Sequence, residues 1–210
     1  MNYSSISEDS SATLPCAPIF CAPLTSSFGD ILILWEGQDA SSLCRIYLPK
    51  DVVAQFDRAR VDFPHLTLWE KGAALPSAIE SIAELLHAIL AGRPVQLPFA
   101  ILEKSLRPLG VFQQKVLMLE ATIPFGHIST YRELARASGN SLAFRAVARA
   151  LSHNPLPLLI PCHRVIASNG SLAGYQGGTA MKQHLLELEG IPFSSEAVDL
   201  KRAKLWNFSA

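Results

Sequence analysis

No two cysteines in this chain stand in a Cys-x-x-Cys pair. The four present, Cys16, Cys21, Cys44 and Cys162, are three in the first quarter and one alone, so a zinc ribbon or finger finds no ligand spacing. The histidines supply none either: His65, His87, His127, His153 and His184 stand apart, and only His163 adjoins a cysteine. No metal is expected. No stretch approaches the roughly 18 uninterrupted apolar residues of a membrane helix, so no membrane span is expected. The first 15 residues, "MNYSSISEDSSATLP", lack the basic start and apolar run of a secretory leader. The expectation is a cytoplasmic chain, or a nuclear one in a eukaryote, with reduced thiols. Net charge is also missing. The 18 Lys and Arg balance 18 Asp and Glu, a total that by itself argues against a nucleic-acid partner.

What is present begins with apolar residues, 49% of the chain against 17% charged. That is enough for a packed core and too apolar for global disorder. The zero charge hides an asymmetry. Residues 1–110 hold 8 Lys/Arg against 12 Asp/Glu, and residues 111–210 hold 10 against 6. Between 127 and 182, Arg132, Arg136, Arg145, Arg149, Arg164 and Lys182 face Glu133 alone. Such a region suits a phosphate-contacting surface, or an ordinary solvated face.

The Ser-rich residues 1–23 read as a flexible tail. "GDILILWEG" (29–37) and "SSLCRIYLP" (41–49) predict two strands, "KDVVAQFDRAR" a short helix and "HLTLWE" a third strand. "SAIESIAELLHAILAG" (77–92) places Ile79, Ile82, Ala83, Leu86 and Ile89 at helical spacing, with Gly92 as the stop. The Pro-rich stretch "RPVQLPFAILEKSLRPLG" reads as a domain boundary. Four segments result: the tail 1–23, a β-rich domain and linker 24–107, a second domain 108–191, and an extension 192–210. The second domain opens with a helix over "VFQQKVLMLEATIPFG". Thr130 with Glu133 three residues on forms a capping box, and Gly139 ends that helix. In the next, Ala143, Val147, Ala150 and Leu151 share one face while Arg145, Arg149 and Ser152 share the other. The pair is a helix-turn-helix candidate, though such pairs also fill plain cores. In the final helix, "TAMKQHLLELEG", Glu189 falls beside the apolar face, either reaching for water or serving a buried partner.

The chemistry concentrates in "LLIPCHRVIASNG" (158–170). Cys162 is either a small buried apolar group or a reactive thiol. Its setting favours the second. Pro161 starts a helical turn well, which would put Cys162 at a helix N-terminus, with His163 and Arg164 as cationic neighbours. The expectation is a thiol of depressed pKa.

"IPCHRV" resembles the active-site signature of the O6-alkylguanine-DNA alkyltransferases, the methylated-DNA–protein-cysteine methyltransferases. "FQQKVLMLEATIPFGHISTYRELA", "RAVARALSHNPLPLLIPCHRVI", "GSLAGYQGG" and "KQHLLELEG" follow that family in order and spacing over residues 108–191. The resemblance implies an α+β protein of two domains. The first would be a small antiparallel sheet with helices, ribonuclease-H-like, and the second winged-helix-like with a helix-turn-helix. It implies that Cys162 accepts the alkyl group of O6-alkylguanine, and of O4-alkylthymine, in one irreversible displacement without a cofactor. His163 would be the base, Glu189 its orienter, Asn154 a brace for the turn, and Tyr131 a hydrogen-bond donor to the guanine. The partner would be duplex DNA, bound by a monomer in the minor groove with the damaged base flipped out. Arg145 would fill the gap, with Thr130, Ser141, Phe144, Arg149 and Ser152 around it. Pro161, Val165, Tyr175, Gln176 and Gly177 would line the base pocket. Phe144, Arg149 and Gln176 depart from the family's usual small or variable residues. A non-enzymatic lesion-binding protein is the rival, disfavoured because such relatives replace the cysteine.

Overall fold

The computed structural model describes residues 17–40, 42–49 and 52–208 of the chain. Three long strands, β1 (Ile19–Ser26), β2 (Gly29–Glu36) and β3 (Ser42–Tyr47), form an antiparallel ladder with β2 in the middle. β2 reads as an uninterrupted apolar run because both of its faces are covered. Ile31, Ile33 and Trp35 enter the main core, whereas Leu32 and Leu34 pack with Cys21, Tyr47 and Ala59 on the other face. Ala59 lies on α1 (Val52–Asp62). A two-residue strand, β4 (Thr67–Leu68), then pairs with β1, giving the order β3-β2-β1-β4.

Two expectations change here. Residues 19–23 belong to β1, so the tail is at most 1–18, and its first 16 residues lie outside the described ones. Pro18 and Pro23 disguised the strand. β1 tolerates Pro23 because β4 pairs only with Phe20 and Cys21, so the strand is at the sheet's edge farther along. The sheet is also mixed, since β4 runs parallel to β1. A strand that returns through the α1 crossover arrives pointing the same way as β1.

α2 (Ser77–Leu90) buries Ile79, Ile82, Ala83, Leu86 and Ile89, as the periodicity predicts. Gly92 ends the segment at φ +65°, with Leu188 so close that a Cβ would collide with it. The Pro-rich stretch is not a bare linker. α3 (Phe99–Leu106) runs through it and buries Leu102 and Leu106 in the main core. That core also holds Leu117, Ala121 and Leu156–Ile160 from the second half, and the Ile46 N–H of β3 donates to Pro155 O at 2.8 Å. The two halves are welded rather than strung.

The second half builds around α4 (Val111–Ala121), α5 (Tyr131–Ala137) and α6 (Phe144–Ser152). Thr130 Oγ1 caps α5 by accepting from Glu133 N at 3.1 Å. The reciprocal half of the capping box is absent, because the Glu133 carboxylate pairs with Arg136 at 2.7 Å. α6 is amphipathic as expected: Val147, Ala150 and Leu151 are buried, and Arg145 and Arg149 face water. Two residues of β5 (Ser129–Thr130) pair in parallel with β6 (Val165–Ile166) and tie α5 to the segment that carries Cys162. α7 (Thr179–Leu188) and a hairpin of β7 (Phe193–Ser194) and β8 (Ala197–Val198) complete the chain. The C-terminal segment is fastened at Ile128, whose N–H donates to Lys204 O and whose carbonyl accepts from Trp206 N.

Candidate active site

The apolar run that precedes Cys162 forms a tight turn. Pro157 bridges Ile160, and Leu158 between them has a φ of +75°, a conformation branched and bulky side chains avoid. Asn154 holds this turn closed. Its Oδ1 accepts from Leu156 N (2.9 Å) and its Nδ2 donates to Ile160 O (3.1 Å), both within the core. The chain then enters a single 3₁₀ turn, Cys162–Arg164, behind Pro161. The helical turn expected at Cys162 is present but only three residues long, too short for a useful dipole.

On the far side of that turn, Glu189 gathers four donor groups. It accepts from His163 Nε2 at 2.9 Å, from Arg164 Nε at 2.9 and 3.1 Å, from Arg164 Nη2 at 2.9 Å and from Gly126 N at 3.2 Å. Arg164 Nη1 donates to Ile123 O at 2.7 Å. The carboxylate on the apolar edge of the last helix therefore serves a buried partner. Burial alone would raise its pKa. The hydrogen bonds and charges of His163 and Arg164 overcome that and bring it down to about 2. An ionised Glu189 requires a proton on His163 Nε2 and leaves Nδ1 as the basic nitrogen. Nδ1 is buried and has no hydrogen-bond partner among the described residues. Burial holds His163 below its usual pKa, against the pull of Glu189, so it is neutral at neutral pH.

The expected depression of the thiol pKa is not observed. Cys162 is 5% exposed, and burial, with some help from Glu120, pushes its pKa up to about 12. Arg164 does not help, because its guanidinium is engaged by Glu189 and Ile123. The resting group is a thiol, and a base must take its proton before it can attack.

Beneath this turn lie two titratable groups outside the expected site residues, Lys182 and Glu120. Lys182 is fully buried and donates to Val165 O at 2.7 Å and Leu172 O at 2.6 Å. Glu120, on α4, is also fully buried, and neither carboxylate oxygen has a hydrogen-bond partner among the described residues. Burial raises its pKa to about 8 despite Lys182 and Arg164 nearby. Burial likewise lowers that of Lys182 to about 8.

Above Cys162 opens a cavity of about 450 Å³. Tyr175 and Gln176, of the pocket set, are among its lining residues, and so are Tyr131 and Ser152. Pro161, Val165 and Gly177 are not. Val165 is packed in the core with Cys162 and Leu134, and a Cβ on Gly177 would collide with Met181. Gln176 Nε2 donates to Asn154 O at 2.8 Å, fastening the pocket loop to the end of α6. Ser141, Phe144, Arg145 and Arg149 are exposed on α6 and its approach. Phe144 lies under the Arg145 guanidinium, 5.9 Å from ring centre to Cζ. Thr130 is instead nearly buried, its hydroxyl occupied by the α5 cap. The lining also includes Arg45 of β3 and Arg58 of α1, which no motif announced.

Residues 111–191 match the family model described as 6-O-methylguanine DNA methyltransferase, DNA binding domain. Over 121 residues, 58% of this chain, the sequence is 40% identical to a methylated-DNA–protein-cysteine methyltransferase of Methanothermobacter thermautotrophicus. The match spans 66% of that relative's length, just under two thirds. It is also 40% identical over 126 residues, 60% of this chain and 72% of the relative, to a protein of the same name from Mycolicibacterium paratuberculosis. The crystal structure of Mycobacterium tuberculosis OGT in complex with DNA superposes with a TM-score of 0.59 at 30% identity, covering 81% of this chain and 91% of that one.

Proposed function

The chain belongs to the methylated-DNA–protein-cysteine methyltransferase family, and on that premise we propose that it repairs O6-alkylguanine in duplex DNA by moving the alkyl group to Cys162. The observation that carries this reading is the buried Cys162 at the floor of a base-sized cavity, backed by a His163–Glu189 pair. The thiol is the nucleophile. His163 Nδ1 accepts its proton through a bridging water, and Glu189 stabilises the imidazolium that forms. The sulfur bonds to the alkyl carbon as the bond from that carbon to guanine O6 breaks. Tyr131, whose hydroxyl burial holds protonated (pKa up to about 12), donates to the departing guanine. The proton lost by sulfur ends on guanine and the product is a thioether. No group at the site cleaves a thioether, so each molecule acts once. O4-alkylthymine is the second substrate of the same pocket.

The damaged atom is inaccessible in stacked DNA, so the base leaves the helix to reach Cys162. The exposed Arg face of α6 supports minor-groove docking, with Arg145 in the gap and Ser141, Phe144, Arg149 and Ser152 against the backbone. The α5–α6 pair with the short β5–β6 pairing supports a winged-helix-like second domain, and the four-stranded sheet with α1 and α2 a ribonuclease-H-like first one. The protein acts as a monomer, without a cofactor, in cytoplasm or nucleus.

The decisive test is the intact mass after incubation with an oligonucleotide carrying O6-methylguanine. One methyl group replaces one hydrogen, on Cys162, and Cys162→Ala gains nothing. Tight binding with Cys162 unmodified would instead make this a lesion-binding protein.

A further inference from the structure

We propose that Arg45 and Arg58 form a phosphate clamp at the cavity, gripping the sugar–phosphate chain of the nucleotide whose base lies inside. The proposal rests on the repair reading above, and assigns the first half of the chain a direct part in holding DNA.

Both arginines line the cavity that also holds Cys162, alongside Ala148, Leu151 and Ser152 of α6 and the 173–176 loop. They come from a different part of the fold, β3 and α1, and are placed there by packing. Tyr47, 2% exposed, lies between them, with Arg45 Cζ 5.2 Å and Arg58 Cζ 5.5 Å from its ring centre. The Tyr47 hydroxyl donates to Asp62 Oδ2 at 2.6 Å, and that carboxylate is 3.6 Å from Arg45 Nη1. The Ile46–Pro155 hydrogen bond fixes β3 against the loop that carries Asn154. Two cations thus stand against one carboxylate, whose nearer bond is to tyrosine. Arg58 is exposed and has no carboxylate partner among the described residues.

Two cations against one carboxylate leave a positive field at the open cavity, which attracts an anion. The nucleobases are neutral. The phosphates flanking a base in the cavity must lie at its mouth, because the chain is covalently continuous with the base. A guanidinium resting over an aromatic ring can still turn N–H groups toward a phosphate oxygen and has less rotamer freedom left to lose. α6 and the Arg45–Arg58 wall would then hold the strand from two separate elements.

The test compares wild type with Arg45→Gln, Arg58→Gln, the double variant and Arg58→Lys. Thermal melting first establishes that each is folded. Duplex binding is measured against salt concentration in a Cys162→Ser background. Transfer is measured with Cys162 intact, on duplex O6-methylguanine and on free O6-benzylguanine, which has no phosphate. The double variant is expected to bind duplex about tenfold or more weakly, with the log–log salt slope smaller by about 1–2. Transfer to free O6-benzylguanine falls far less than transfer in duplex, and Arg58→Lys keeps most of the slope. An unchanged salt slope overturns the clamp. So does an equal loss on duplex and free base, which would make the arginines shapers of the pocket. If wild type itself leaves Cys162 unmodified, the repair reading fails, while the salt slope still reports on the clamp.

Discussion

Replacing Glu120 by glutamine should make the protein progressively more stable than wild type as pH rises. Glu120 is fully buried on α4 and both of its oxygens lack hydrogen-bond partners among the described residues. Burial lifts its folded pKa from 4.5 to about 8. A group with a raised folded pKa contributes its full stability below the unfolded value. That contribution is lost as pH climbs from about 4.5 to about 8, and the loss is complete above it. At roughly 1.4 kcal/mol per unit, the whole window is worth about 5 kcal/mol. Removing Glu120 also removes one of the charges that keep Lys182 protonated. The measurable gap should therefore be a few kcal/mol at pH 9 and close to zero at pH 5. His163 and Glu189 titrate in both proteins, so the difference between the two stability curves reports Glu120 together with the Lys182 it faces. Urea unfolding at unit steps from pH 5 to pH 9, in reducing buffer, reads the gap directly. A constant difference across that range would refute the assignment of Glu120 as a neutral buried acid.

Glu189→Ala strands the Arg164 guanidinium and should cost about 3–5 kcal/mol by denaturant unfolding. Because the pKa of Glu189 is depressed to about 2, its contribution is present above about 4.5 and lost as pH falls towards 2. Glu189→Gln should remove that acid dependence and slow transfer to Cys162. Asn154→Ala leaves Leu156 N without a partner among the described residues and Ile160 O with Cys162 N alone and should cost about 1–3 kcal/mol in chemical denaturation; a loss below about 0.5 kcal/mol would refute the brace. Iodoacetamide should alkylate Cys162 far more slowly at pH 7 than an unperturbed cysteine, with a rate still rising at pH 10, as followed by peptide mass mapping. A fast, pH-independent reaction would contradict a thiol raised to about 12. Arg145→Ala should slow repair in duplex far more than reaction with free O6-benzylguanine, and equal losses would count against a role in the gap.

The legible parts were those whose signal is local. Apolar spacing at Ile79, Ile82, Leu86 and Ile89 predicts α2 because a helix repeats every 3.6 residues wherever it lies. Thr130 before Glu133 marks the start of α5 for the same kind of reason. β1 was hidden by Pro18, which precedes it, and by Pro23, which is tolerated because β4 covers so little of that strand. α3 was hidden by the prolines at 94 and 98, yet Pro98 simply precedes its first turn. Glu120 had a readable signal: it sits three and four residues beyond Leu117 and Val116, on the buried face of α4. Arg45 and Arg58 had none, for nothing near them in sequence mentions Cys162.

The sequence by itself determined which atoms are available for chemistry: a cysteine beside a histidine, a distant carboxylate on an apolar helix edge, an arginine-bearing helix. These follow from residue type and spacing along one stretch of chain. Only the tertiary structure decided their protonation and company. Cys162 is a resting thiol and not a thiolate because burial outweighs its cationic neighbours, and Arg164 is engaged by Glu189. Desolvation depends on everything packed around a group, and charges act through space rather than along the chain. For the same reason two arginines more than a hundred residues before Cys162 share its cavity.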